Sequence, residues 1–237
     1  MRTAQAVAWK EIQIYFSSPT AYIVGLIFLA LTGIFFTRDL GDPFPEATLE
    51  PFFEGTIIMF ILLAPALTMR LLAEESKLGT LELLLTSPVR DWEIIIGKYV
   101  ASLVFFLALV ALSFFYAILL FWFANPDPGP IYAGYLGFIL YGSAALAVGL
   151  LASTMTSNQI VSAVVAMGIL LALFFADRAS GSVNGLAGEI IGEMGVRGHF
   201  DDFSRGVIDT TNIVYFLSVI AFFLFLSIRT LESRRWR

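Results

Sequence analysis

A single histidine, His199, stands near two carboxylates, Asp201 and Asp202, in a polar stretch covering residues 177–209. That trio is the closest the sequence comes to hydrolytic or metal chemistry. A metal centre asks for several histidines or carboxylates converging from different elements. A serine-type intramembrane protease asks for serine and histidine inside the membrane. No apolar segment contains a histidine, and His199 reads as a solvated loop residue. The chain has no cysteine, so it can form neither a disulfide nor a thiolate metal site. Gly97-Lys98-Tyr99 lacks the upstream glycine and the hydroxyl residue of a phosphate-binding GxxxxGK[ST] loop. The chain is therefore expected to be no enzyme, and any ATP that drives it must be bound by another chain.

The more informative residues are charged and clustered. Residues 70–98, RLLAEESKLGTLELLLTSPVRDWEIIIGK, carry Arg70, Glu74, Glu75, Lys77, Glu82, Arg90, Asp91 and Glu93 ahead of Lys98, with apolar runs on both sides. Good helix formers fill residues 70–85 apart from Gly79 and Thr80. Leu78, Leu81 and Leu85 fall on one face with Glu74 and Glu82 beside them, while Leu83 and Leu84 point the other way. Ser87 and Pro88 then form a helix-start pair, predicting a second helix from Pro88 with Asp91 and Glu93 at its positive end. A helix apolar on two sides and fringed by carboxylates suits a site between a membrane domain and a partner. An ordinary loop helix anchored by its leucines fits equally well.

The elements around this segment belong in lipid. The chain is 58% hydrophobic and 14% charged, with 23 phenylalanines in 237 residues. Soluble domains are about a quarter charged. About 20 apolar residues cross a bilayer as a helix, and six segments qualify: 20–37, 55–72, 94–124, 131–155, 159–176 and 210–228. Thr156, Ser157, Asn158 and Gln159 divide the fourth from the fifth. Residues 1–19 read as an amphipathic surface helix rather than a signal peptide, with Ala4, Val7, Ala8, Ile12 and Tyr15 on one face and Pro19 closing it. The expected fold is an all-α integral membrane protein.

Lysine and arginine set the expected orientation. With both ends inside, ten of them lie in the cytoplasm, and only Arg38, Arg178, Arg197 and Arg205 lie outside. No span interior holds Asp, Glu, Lys, Arg or His. Ion-coupled carriers and proton pumps generally need one, because a charge at the bilayer centre costs about 2.5–3.5 kcal/mol and is kept for function. Backbone carbonyls could still bind sodium without it. Net charge is −5, and no nucleic-acid partner is expected.

At this level of detail the sequence resembles a known family. EESKLGTLELLLTSPVRDWEIIIGKYVA resembles the hallmark cytoplasmic segment of ABC-2 type transporter permeases of the gliding-motility (GldF-like) subgroup. SNQIVSAVVA fits that subgroup's fifth span, and HFDDFSRGVIDTTNIVYFLSVIAFFLFLSIRTLESRRW resembles its ending. The resemblance covers the whole chain as one transmembrane domain, 1–237. It implies a connecting helix over 1–19, a coupling segment over 73–93 and an outer loop over 177–209. It further implies an ABC ATPase subunit carrying ATP and Mg, a second permease subunit (homodimeric or homologous) and an exporter. Glu74, Glu75, Lys77, Gly79, Thr80 and Glu82 become transmission residues on a coupling helix seated in the ATPase. Leu78, Leu81 and Leu85 hold that helix in place.

The outer loop shows two apolar faces. Leu186, Ala187, Ile190, Ile191 and Met194 form one, and Phe200, Phe203 and Val207 the other. The resemblance implies short external helices that cap the exit before the last span, whereas pattern alone fits helices resting on lipid. Asp39, Asp42, Glu46, Glu50 and Glu54 make the first outer loop acidic. Those residues are either solvated or a dock for an extracytoplasmic auxiliary protein. Two other classes stay open: a membrane anchor that recruits an ATPase without moving cargo, and an ion-coupled carrier. The cargo is not legible. Ser113, Tyr116, Tyr141, Ser143, Ser153, Thr154 and Ser162 could line a path or simply bond to nearby carbonyls.

Overall fold

A computed structural model describes residues 2–38, 47–82, 89–181 and 185–235. Leu83, Leu84, Leu85, Ser87, Pro88, Asp39, Asp42, Glu46 and Trp236 lie outside the described residues. The helices in chain order are α1 (Arg2–Ser17), α2 (Pro19–Thr37), α3 (Glu50–Thr68), α4 (Ala73–Lys77), α5 (Asp91–Phe123), α6 (Pro128–Met155), α7 (Gln159–Ser180), α8 (Leu186–Glu193), α9 (Val196–Ser204) and α10 (Thr210–Arg235). Among the described residues there is no strand. Among the described residues, six helices are long and apolar enough to cross a membrane: α2, α3, α5, α6, α7 and α10.

The bundle is built around α6 and α3. In their most apolar stretches 83% and 72% of residues are buried, against 22% in α2, 28% in α7 and 17% in α10. Lipid is as apolar as a leucine, so spans associate through close packing and small residues rather than by hiding from solvent. Helix α6 supplies those small residues. A β-carbon at Gly134 would enter the Phe53 ring, at Gly137 the Phe203 side chain, at Gly142 the Phe106 ring and at Gly149 the Thr68 hydroxyl. Phe60, Phe106 and Phe138 form a ring cluster across α3, α5 and α6, with centroids 4.7 to 5.6 Å apart.

Local chemistry fixes the helix ends. Asp127 accepts the Gly129 amide at 3.0 Å, with Pro128 in the first helical position of α6. Asn158 caps α7 by accepting the Ile160 amide at 2.9 Å. Helix α5 starts at Asp91, because Arg90 is extended and the Glu93 carboxylate accepts the Arg90 amide at 3.2 Å; the start expected at Pro88 falls outside the described residues. A glutamate reaching back from the third helical position fixes the start just ahead of the first. The Thr3 hydroxyl and that amide hold the Glu93 carboxyl below the usual range. At 33 residues, α5 is about 50 Å long, well beyond the roughly 30 Å hydrocarbon core, so its first turns stand outside the lipid.

Two expectations for the outer loop need correction. His199 is not a solvated loop residue: it lies on α9, its Nδ1 is 2.7 Å from Asn212 Oδ1, its Nε2 is 3.2 Å from the Glu193 carbonyl, and its ring stacks on Tyr215 at 3.9 Å. Val207 does not continue the Phe200–Phe203 face, because α9 ends at Ser204 and Gly206 turns the chain at φ 88°. Phe200 and Phe203 are fully buried against the bundle, while Leu186 and Ile190 on α8 remain exposed. The inner face of α9 is thus core, and α8 keeps an open apolar face.

Most hydroxyls that could have lined a path are bonded to backbone. Ser113 donates to the Val110 carbonyl (2.7 Å), Tyr116 to Leu29 (2.7 Å), Tyr141 to Ile57 (3.1 Å), Ser143 to Ile139 (2.6 Å) and Thr154 to Leu151 (2.6 Å). The buried Ser162 hydroxyl has no hydrogen-bond partner among the described residues.

Candidate coupling site

The charged connection between α3 and α5 does not run as one helix from residue 70 to 85. Helix α4 covers Ala73–Lys77, the chain turns at Leu78 and Gly79, and Thr80–Glu82 are helical again. Gly79 stands at φ 72°, a left-handed conformation that ends helices at little cost only for glycine. The Leu78 amide closes α4 on the Glu74 carbonyl at 2.9 Å. This break rotates Leu78 away from Leu81: Leu78 is 68% exposed and Leu81 only 6%. Leu81 anchors the segment and Leu78 projects from it.

Three attachments fix α4 to the bundle. The first is Ser153, a buried residue near the end of α6. Its Oγ accepts the Leu72 amide at 3.0 Å and the Ala73 amide at 3.1 Å, and donates to the Met69 carbonyl at 3.1 Å. The amides at a helix start have no intrahelical acceptor, so one hydroxyl from another span serves as a cap. The second is Lys98, 1% exposed, whose Nζ lies 2.7 Å from Glu11 Oε1 and 2.9 Å from Glu75 Oε1. This pairing joins α1, α4 and α5. Glu75 Oε2 is buried with no hydrogen-bond partner among the described residues. The third is Arg234 on α10, which donates to Ser76 Oγ at 3.0 Å.

Helix α1 is held just as firmly. Gly97 permits its close crossing over α5, since a β-carbon there would be 2.9 Å from Val7 and 3.0 Å from the Ala4 carbonyl. The Tyr15 hydroxyl donates at 2.7 Å to the carbonyl of Leu67, which sits in the last turn of α3 where intrahelical donors run out. The apolar face expected of α1 therefore packs on the bundle, with Glu11 set among its apolar residues.

The segment has two sides. Glu75, Ser76 and Leu81 turn toward the bundle. Glu74, Lys77, Leu78, Gly79, Thr80 and Glu82 are exposed. Glu74, Glu75, Leu78 and Thr80 line a cavity of about 490 Å³ together with Lys10, Glu11 and Lys98. Of the residues singled out from sequence, Leu85 lies outside the described residues. Sequence reasoning does not assign Glu11, Lys98, Ser153 or Arg234 to this site. A carboxylate within the apolar stripe of α1 is the one signal pointing to Glu11. The arrangement pairs a cation with carboxylates and, among the described residues, sets no nucleophile beside a base. It ties α4 to α1, α5, α6 and α10.

Ser153→Ala is expected to cost about 1–3 kcal/mol, because two buried amides lose their acceptor. Thermal unfolding in detergent will show the loss, and hydrogen exchange at Leu72 and Ala73 will quicken selectively. Unchanged exchange there would refute the cap.

The architecture defines a class: a multi-pass helical protein of the cell membrane, whose charged loop forms a short helix tied to three spans and presenting a second face outward. The family model for the ABC-2 family transporter protein matches residues 45–177, which include that loop, and the chain belongs to the ABC-2 transporter family. It is 34% identical over 87 residues to the "Probable multidrug ABC transporter permease YbhR" of Escherichia coli (strain K12), a stretch that is 37% of this chain and 23% of that protein. The counterpart in Escherichia coli O157:H7 matches to the same extent. The match thus covers less than a quarter of the length of these curated relatives.

Proposed function

We propose that this chain is the permease subunit of an ATP-driven exporter, moved through α4 and the residues up to Glu82 by a separate ATPase subunit that binds ATP and Mg. The observation that carries this reading is the division of that segment into an anchored side and a presented side. Glu74, Lys77, Leu78, Gly79, Thr80 and Glu82 meet the ATPase, Glu75 and Leu81 pass the displacement inward, and Leu85, outside the described residues, keeps its role from the sequence resemblance alone. Family membership supports the transporter class, and the excess of lysine and arginine at this end supports placing it in the cytoplasm. ATP binding draws two ATPases together, their coupling segments follow, and a pair of permease subunits switches between packings. The resemblance of residues 199–236 to the gliding-motility subgroup supports that assignment within the family and keeps an extracytoplasmic auxiliary partner in view. The multidrug description of the relative, with the charge-free spans, favours an apolar cargo.

Two variants test the reading. Gly79→Pro cannot adopt φ 72°, because proline fixes φ near −65°. Glu82→Lys inverts an exposed charge. Both are expected to insert normally and to lose the ATPase on purification, or to lose ATP-dependent transport into inverted vesicles by at least about tenfold, the equivalent of 1.4 kcal/mol. Full ATP-dependent activity in both variants would sink the coupling assignment. An ATPase retained without any cargo movement would assign an anchor role, and uptake driven by an ion gradient alone would assign a carrier.

A further inference from the structure

We propose that a phospholipid with an amine-bearing headgroup binds in the cleft where α2 begins, α3 ends and α7 begins, its phosphate held by Arg70. This inference does not rest on the coupling assignment. The Arg70 guanidinium lies 4.6 Å above the Tyr15 ring, and its Nη1 donates to Ser18 Oγ at 2.9 Å and Thr20 Oγ1 at 3.3 Å. All of these partners are neutral. Among the described residues Arg70 forms no ion pair, unlike Lys98, Arg197 and Arg229. A guanidinium carries five donors in a planar fork that matches a phosphate, and the bonds to Ser18 and Thr20 use only one of its nitrogens.

Beside Arg70 lies a cavity of about 370 Å³ lined by both polar and apolar residues. Ser18, Thr20 and Gln159 are among its polar lining residues and Val24 and Ala66 among its apolar ones. Glu74, exposed, lines the same cavity and matches an ammonium. Three spans begin or end here, which is the depth at which the phosphates of a bilayer lie. A free phosphate satisfies Arg70 but leaves the apolar lining uncovered. A phospholipid satisfies both.

The test is native mass spectrometry of the full chain released from nanodiscs containing equal phosphatidylethanolamine and phosphatidylglycerol. The wild type is expected to retain phosphatidylethanolamine preferentially. Arg70→Gln is expected to lower its retention at least about tenfold, the worth of a charged hydrogen bond, and Arg70→Lys less. Glu74→Gln should abolish the preference between the two lipids while retention persists. Val24→Trp, which fills the apolar part of the cavity and leaves the Arg70 side chain unchanged, should lower retention independently and decides the matter if Arg70→Gln fails to fold. Retention unchanged in both Arg70→Gln and Val24→Trp overturns the site. Equal retention of both lipids by the wild type overturns the headgroup assignment. Displacement by millimolar inorganic phosphate, with no dependence on the acyl chain, reduces the site to a simple ion site and overturns the proposal.

Discussion

Lys98→Met will destabilise the protein by about 3–5 kcal/mol, the cost of removing one member of a buried ion pair. Methionine matches the lysine stem in length, so packing changes little and the loss is electrostatic. The variant leaves the Glu11 and Glu75 carboxylates, now 2.7 and 2.9 Å from the ammonium, facing each other with no cation between them. The triple change Lys98→Met, Glu11→Leu and Glu75→Leu separates charge from fold. Replacing a buried ionic cluster by apolar side chains is often neutral or stabilising, so the melting temperature should return to or exceed that of the wild type. On the coupling role proposed above, ATP-dependent transport should not return, because α4 then rests on α1 and α5 through contacts without a fixed register. A single variant that melts within about 0.5 kcal/mol of the wild type, the range of ordinary surface changes, would show the triad to be dispensable.

Gly142→Leu is the second large effect, expected to cost about 3 kcal/mol, at the upper end for overpacking. The Phe106 ring occupies the place of a β-carbon at this position, and Phe106 is fully buried. It cannot swing aside, because Phe60 and Phe138 pack against it with centroids 4.7 and 5.3 Å away. The yield of monodisperse protein after detergent extraction measures the effect. Adding Phe106→Ala should recover part of that yield, since residues in contact do not contribute independently. Failure of the pair to recover any yield would place the clash elsewhere.

The fold was legible wherever the signal is local. Runs of uncharged residues predict spans, Thr156 to Gln159 mark a break, and the stripe Ala4, Val7, Ala8, Ile12 and Tyr15 predicts the packed face of α1. The site was legible in part. Its presented residues could be named because charge between apolar runs is conspicuous in a linear string. Its anchors could not be, since Lys98 finds Glu11 87 residues away and Ser153 finds Leu72 81 residues away. A serine on an apolar helix carries no mark of what it will bond. The rotation of Leu78 away from Leu81 was hidden for a different reason. In a linear string Gly79 looks like a weak point within a helix, whereas its φ makes it the end of one.

Ser153 binds amides, and every residue type except proline supplies one. The clasp is therefore indifferent to the side chains beyond it, and from Lys77 onward the outward residues are free to diverge while the mount stays the same. Attachment and recognition occupy separate sets of atoms, which makes the segment interchangeable. On the proposed coupling role, a protein engineer could rewrite Lys77, Leu78, Thr80 and Glu82 to suit a foreign motor, keep Glu75, Ser76 and Leu81, and expect the bundle to accept the new plug.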